Sequence, residues 1–241
     1  MSRAEMTTCR VFGHGSGSSG DELNSRAAFE RVRALACDGV ELDVRRTLDD
    51  GLAVIHDPLL PDRRDVARTA TRALPVDVML LGDVLDLLRG MVVNIEIKNF
   101  DRDPHWDPDQ RVTRLVVDLL AARDHADRVI ISCFGFECTD LVRRLRPDLD
   151  TAHLLLSRRP AADLLDAVVD HGHAIAHPYE SMVDESFMQE AGARGLAVNA
   201  WTAEDDSEER LGEVIRLGVD GLITGAPEVA GRLLRPSAAS R

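Results

Sequence analysis

Apolar residues along this chain alternate between short runs and longer amphipathic segments. Eight short runs have the length and composition of buried strands, and they are RVFGH, GVELDVR, MVVNIEIK, RVIISCF, TAHLLL, HAIAH, LAVNAWT and DGLITG. Between them, apolar residues recur at helical spacing over 25–37, 109–125, 137–147, 159–172, 184–195 and 207–218. The segments 52–58 and 74–90 predict an extra strand and a helix after the second strand.

This alternation of strands and helices predicts the fold class. Parallel strands joined by helices form either a closed (β/α)8 barrel, the TIM barrel, or an open doubly wound sheet. Eight strand–helix units without a break in composition favour the TIM barrel. We therefore expect one barrel domain over 1–241, with frayed tails at 1–8 and 236–241 and a long polar loop at 99–110.

Two of the predicted strands carry charged residues on one face, although parallel strands are usually apolar on both. These residues are Glu41, Asp43 and Arg45 in VELDVR, and Asn94, Glu96 and Lys98 in VNIEIK. Because side chains alternate along a strand, each set projects to one side. If the apolar faces meet the helices, three carboxylates and a lysine point into the barrel.

Three carboxylates in a desolvated interior would oppose one another's ionisation. A divalent cation removes this conflict, and ligands that are all oxygen suit Mg²⁺ or Ca²⁺ rather than zinc. The alternative is an antiparallel sheet with these charges in solvent, which the strand–helix alternation disfavours. We therefore expect a metal site formed by Glu41, Asp43 and Glu96.

Two histidines lie at comparable strand ends, His14 after RVFG and His56 in AVIHDP. Strand ends face the mouth of a barrel, and imidazoles can act there as a general acid and a general base. Each could also be a structural histidine, which is the better interpretation for His105, His125, His153, His171, His173 and His177. Of these six, His177 also lies at a strand end and is the reserve candidate.

Composition limits the partners. The net charge of −13 argues against nucleic acid or an anionic membrane surface, but a bound cation would still allow a phosphorylated small molecule. The four cysteines form no CxxC pair, and the start of the chain has no apolar targeting segment, so we expect a cytoplasmic protein without membrane insertion. Lys98 is the one lysine in an arginine-rich chain. The sequence leaves the oligomeric state open.

Several motifs together resemble the glycerophosphodiester phosphodiesterase family. They are GHGSG, ELNSRAAF, VELDVRRTLDDGLAVIHDPLL, NIEIK, VNAWTAED and LGVDGLITGAP, and they extend over nearly the whole length. The resemblance implies a TIM barrel that hydrolyses phosphodiesters with a divalent metal and a histidine pair. Carried over by position, it implies that Glu41, Asp43 and Glu96 bind the metal and that His14 and His56 are the acid/base pair. Lys98 would contact phosphate, and Trp201 would line the substrate site.

The first loop departs from the family pattern. The arginine that follows the first histidine in the family is Gly15 here, so a bidentate phosphate clamp is missing, and the family's buried glutamate is Leu23. The loop does not fit a P-loop, and we interpret it as an active-site loop whose backbone or serines 16, 18 and 19 could replace the arginine. Two alternatives follow: a phosphodiesterase or cyclising lyase for another diester, and an inactive barrel that binds phosphate esters.

Overall fold

The structure, a computed structural model, describes residues 9–16, 24–35, 37–123, 128–203 and 205–234. Its strands are β1 (Arg10–Gly13), β2 (Gly39–Arg46), β3 (Leu52–Val54), β4 (Val92–Ile97), β5 (Val129–Cys133), β6 (Asp150–Leu155), β7 (Ile175–Pro178), β8 (Ala197–Trp201) and β9 (Gly221–Thr224). Its α-helices are α1 (Arg26–Ala34), α2 (Leu81–Leu87), α3 (Arg111–Ala121), α4 (Phe136–Leu145), α5 (Ala161–Asp170), α6 (Glu185–Ala193), α7 (Glu208–Arg216) and α8 (Pro227–Leu234).

Eight parallel strands close into a barrel. The order around the sheet is β1, β9, β8, β7, β6, β5, β4 and β2, and β1 also pairs with β2, which closes the ring. The remaining strand, β3, pairs antiparallel with β2. The predicted TIM barrel is therefore confirmed, and each of the eight predicted runs supplies one barrel strand.

The helix starts follow local capping. The side chains of Ser25, Asp184 and Ser207 accept hydrogen bonds from the backbone amides of the first turns of α1, α6 and α7. The helix predicted over 74–90 is shorter than expected, because Met79 and Leu80 lie alongside β3 instead. Helix α8 has a buried face, but the sequence patterns do not predict this helix.

The two ends of the barrel interior differ in polarity. Outward residues of the strands, such as Leu42, Ile95 and Ile131, are fully buried under the helices. Inside, an apolar cluster of Phe12, Ile130, Ala152, Ile175 and Ile223 fills the barrel. The polar inward residues of β2 and β4 lie towards the carboxyl ends of their strands, where (β/α)8 enzymes carry their active sites. Among the described residues, no helix is long and apolar enough to cross a bilayer.

Candidate active site

Three carboxylates converge on the inward faces of β2 and β4. Asp43 lies opposite Glu96 in the register of these neighbouring strands, and Glu41 lies one inward position lower. All three are buried, and one carboxylate oxygen of each lies within 4.8 Å of the others. The structure thus brings together the three residues for which the sequence predicts a metal site.

Lys98 lies between two of these carboxylates. Its Nζ is 2.9 Å from Oδ1 of Asp43 and 2.6 Å from Oε1 of Glu96. Although burial opposes the ionisation of Asp43, the Lys98 ammonium lowers the pKa of that carboxyl to about 2. Burial raises the pKa of Glu96, and Lys98 only partly offsets this. One ammonium therefore does not neutralise the whole cluster.

Glu41 is the carboxylate of the cluster that lies outside the Lys98 ion pairs with Asp43 and Glu96. Its Oε2 accepts a hydrogen bond from the backbone N–H of Gly15 at 2.9 Å, whereas no hydrogen bond from the described residues reaches its buried Oε1. Burial, followed by the charges of Asp43 and Glu96, raises the pKa of Glu41 well above its usual range. An unpartnered carboxylate oxygen in an all-oxygen cluster fits a hard divalent cation.

The first loop contacts this cluster through two residues whose roles the sequence analysis missed. Gly15 has a φ of 50° and ψ of 21°, a left-handed conformation that suits glycine better than arginine. Asn24, also left-handed, donates from Nδ2 to Oδ2 of Asp43 at 3.2 Å. The first loop therefore contacts Glu41 through the N–H of Gly15 and Asp43 through the side chain of Asn24. Leu23, Ser18 and Ser19 lie outside the described residues.

His14 faces the cluster in a defined tautomer. Its Nδ1 lies 2.6 Å from the carbonyl oxygen of Thr202, and because a carbonyl only accepts, Nδ1 carries the proton. Its Nε2 lies 3.9 Å from Oε2 of Glu41. Burial lowers the pKa of His14, so the neutral imidazole is favoured. An unprotonated Nε2 that faces the cavity can accept a proton.

His56 reaches the same cavity from the other side, two residues beyond β3. Its side chain is 58% exposed, and its Nδ1 lies 2.8 Å from Oδ1 of Asp57. Its backbone carbonyl accepts a hydrogen bond from Nε of Arg45 at 2.7 Å. The two predicted histidines therefore differ: one is held inside the mouth and the other stands at its rim.

The cavity between these groups has an apolar side. That side consists of Phe134, Leu154, Trp201, Ala203 and Ile223. Trp201 lies in the wall as expected, and its Nε1 donates to the carbonyl of His177 at 3.0 Å. Phe134 and Leu154 are wall residues that the sequence does not predict, although both stand at inward positions near the ends of their strands.

The other described histidines have structural partners. His177 is fully buried and its Nε2 lies 3.1 Å from Nδ2 of Asn199. His153 and His171 stack on the two sides of the Phe136 ring, with centroids 3.6 and 3.9 Å away. His173 lies within hydrogen-bond distance of the hydroxyls of Thr139 and Thr151, and His105 pairs with Asp65. His125 lies outside the described residues.

Comparison with known proteins gives a consistent assignment. The model of the glycerophosphoryl diester phosphodiesterase family matches residues 62–229, which include Glu96, Lys98 and Trp201. A glycerophosphodiester phosphodiesterase of Caldanaerobacter subterraneus subsp. tengcongensis is 26% identical over 247 residues, or 93% of this chain and 97% of the relative.

Two solved structures share the fold. A glycerophosphodiester phosphodiesterase of Thermotoga maritima matches with a TM-score of 0.76 at 19% identity, over 93% of this chain and 98% of that one. An Oleispira antarctica phosphodiesterase, solved in complex with the product sn-glycerol-3-phosphate, matches with a TM-score of 0.81 at 17% identity. This second match covers 93% of this chain and 96% of that one.

Proposed function

Because this chain belongs to the glycerophosphoryl diester phosphodiesterase family, a family of phosphoric diester hydrolases, we propose that it cleaves a glycerophosphodiester-like small molecule to a phosphomonoester and an alcohol. One observation carries the proposal. Glu41 and Glu96 line one cavity together with a lysine, two histidines and an apolar wall, and the third buried carboxylate of their cluster, Asp43, lies beside them. This combination suits a metal-assisted displacement at phosphorus.

Glu41, Asp43 and Glu96 would hold a divalent cation, Mg²⁺ or Ca²⁺. When bound, the cation supplies Lewis-acid polarisation of the phosphoryl group. The buried, unpartnered Oε1 of Glu41 and the raised pKa of that carboxyl support this assignment. Lys98 stays paired with Asp43 and Glu96, so we assign it a part in neutralising charge near the phosphate, across the carboxylates it contacts.

The two histidines differ in ways that support different roles. His14 acts as the general base, because its Nδ1–H is bonded to Thr202 and its Nε2 can take the proton of the attacking hydroxyl. His56 acts as the general acid, because the carboxylate of Asp57 accepts from its Nδ1–H at 2.8 Å and thereby leaves Nε2 to carry the proton towards the leaving alcohol. The new bond joins the attacking oxygen to phosphorus, and the bond to the leaving alcohol breaks. The departing alkoxide takes its proton from His56.

Gly15 favours a second candidate within the same chemistry. The family arginine is absent at this position, and the backbone N–H of Gly15 is already bonded to Glu41. A substrate phosphate therefore lacks the bidentate contact that an arginine would supply. This favours a phosphodiester other than the simple glycerol esters, including one whose own hydroxyl attacks and leaves a cyclic phosphate. An inactive barrel is disfavoured because the complete ion cluster and both histidines remain.

The test is a product assay on a panel of phosphodiesters with Mg²⁺ or Ca²⁺, followed by phosphorus NMR. Glycerophosphocholine, glycerophosphoethanolamine, lysophospholipids and diesters without glycerol form the panel. Open phosphomonoester products support hydrolysis, whereas a cyclic phosphate supports the lyase. If only the diesters without glycerol are turned over, the second candidate is favoured. Metal binding without turnover of any diester would support an inactive barrel.

The histidine assignment has its own prediction. Replacement of His14 or His56 by alanine should lower kcat by at least ~100-fold, because each variant loses one proton transfer. His171→Ala serves as the control, since that histidine stacks on Phe136 away from the cavity. Near-normal rates in both cavity variants would refute the acid/base pair.

A further inference from the structure

Arg45 is the third charged residue on the inward face of β2, and the proposed chemistry assigns it no role. Its side chain is buried, and its two terminal nitrogens donate to the two oxygens of Asp103 at 2.9 Å each. Its remaining nitrogen, Nε, donates to the backbone carbonyl of His56 at 2.7 Å. One planar guanidinium thus joins a buried carboxylate to the backbone of the histidine at the cavity rim.

We infer that Arg45 is a positioning residue that fixes the backbone of His56, so that the imidazole stands at the correct distance from the scissile bond. This inference rests on the proposed function, because it requires that His56 transfers a proton. His56 needs such support, since it lies beyond the end of β3 and its exposed ring is bonded to the neighbouring exposed Asp57. A misplacement of about 1 Å in a reacting group can cost ~100-fold in rate.

The anchor on the other side of Arg45 is held by further hydrogen bonds. Oδ1 of Asp103 also accepts the backbone N–H of His105 at 2.8 Å, and Nε2 of His105 lies 3.1 Å from Asp65. The same polar loop is held by Asn99, whose Oδ1 accepts the N–H of Asp107 at 2.7 Å and whose Nδ2 donates to the carbonyl of that residue at 3.0 Å. Arg45 therefore ties His56 to a loop with its own hydrogen-bond network.

The chemistry of the guanidinium explains why arginine suits this position. Asp103 needs two parallel donors and His56 needs a third from the same plane, and lysine cannot supply this fork. A buried ion pair is costly to form and is often no more stable than apolar residues of similar volume. Stability alone therefore gives a weak reason for a buried pair beside the active site, whereas its bond to His56 gives a functional one.

The test is a double-mutant cycle between Arg45 and His56. For each protein, kcat and KM are measured on a diester that the panel assay identifies as a substrate, and affinity is measured for Mg²⁺ or Ca²⁺. Arg45→Met should lower kcat by ~10–100-fold in the chain that keeps His56, with KM and the Kd for Mg²⁺ or Ca²⁺ changed by less than about threefold. In the His56→Ala background the same substitution should lower kcat by less than about twofold. An equal loss in both backgrounds would overturn the inference.

Two further variants separate positioning from folding. Arg45→Met/Asp103→Leu removes both buried charges and avoids an unpaired carboxylate, so it should fold and still show the kcat loss. Arg46→Met is the matched control, because the neighbouring Arg46 forms a partly exposed pair with Asp50 and should leave kcat unchanged. If His56→Ala alone has no effect, the proposed acid role fails. If His56→Ala is slow but the folded double variant is fully active, the inference about Arg45 fails by itself.

Discussion

The two halves of the barrel mouth differ in chemistry. The half formed by β2 and β4 carries charged side chains, which are Glu41 and Asp43 on β2, Glu96 on β4 and Lys98 directly after β4. Strands β6, β8 and β9 and the residue directly after β5 present apolar side chains to the same cavity: Leu154, Trp201, Ile223 and Phe134. The register and the two-residue period are common to both halves, so only the choice of residue at inward positions separates them.

This difference divides the work of a phosphodiesterase. In the proposed function, the ionic half would bind a cation and the charged phosphoryl group, whereas the apolar half would exclude water and contact the part of the substrate that does not react. Exclusion of water also strengthens the electrostatic interactions on the ionic side. If this division is correct, substitutions in the ionic half should lower kcat, and those in the apolar half should raise KM.

The largest effect is expected for Asp43→Asn. The variant loses a carboxylate whose pKa of about 2 keeps it ionised, and the proposed metal site loses a ligand. We expect kcat/KM to fall by at least ~10³-fold, because the proposed cation would supply several kcal/mol of transition-state stabilisation. Calorimetric titration with Mg²⁺ and Ca²⁺ should show the matching loss of metal affinity, and EDTA should inactivate the unmodified enzyme to a similar degree.

Asp140→Asn is the control for this variant, because Asp140 lies on α4 and pairs with His171 outside the cavity. It should keep both metal affinity and rate. Full activity of Asp43→Asn, or activity in EDTA, would show that the ionic half does not work through a metal.

A smaller effect is expected in the apolar half for Leu154→Ala. The truncation removes apolar contact from the wall, so KM should rise by about 10-fold, consistent with ~1.5 kcal/mol of lost burial, while kcat stays near normal. Leu155→Ala is the matched control, since Leu155 is equally buried on the outer face of the same strand. Both variants should lose stability in thermal unfolding, but only Leu154→Ala should change KM.

The barrel and the ionic half could be predicted from the sequence because both depend on local patterns. The alternation in VELDVR and NIEIK puts Glu41, Asp43 and Glu96 on inward faces, and pairing of neighbouring strands then brings them together. The bond from His14 to the carbonyl of Thr202 could not be predicted, because it joins residues 188 positions apart through loop geometry. No periodicity encodes such a contact.

The same limit applies to Arg45. The strand pattern predicts its inward direction, but its partners come from two loops whose conformations depend on turns rather than on a repeat. Phe134 and Leu154 show the opposite case, since their inward positions follow the strand period. Apolar residues at such positions look like ordinary core, so their place in the cavity wall has no distinct signal in the sequence.

The smallest effect on activity is expected for His177→Gln, at a buried position that lies opposite Leu154 in the register of β6 and β7. Here the measured quantity is the dependence of stability on pH. Burial lowers the pKa of His177 to about 3, from an ordinary value of 6.5. Between these two values the unfolded chain binds the proton and the folded chain does not, so stability falls as the pH drops from about 6.5 towards 3 and is unaffected above 6.5.

Glutamine can still accept the hydrogen bond from Asn199 but does not titrate in this range. The variant should therefore lose about 2 kcal/mol less than the unmodified protein between pH 6 and pH 4, as measured by urea unfolding, with kcat unchanged at neutral pH. A lower kcat for His177→Gln, with no change in stability at acid pH, would mean that His177 takes part in catalysis in addition to His14 and His56.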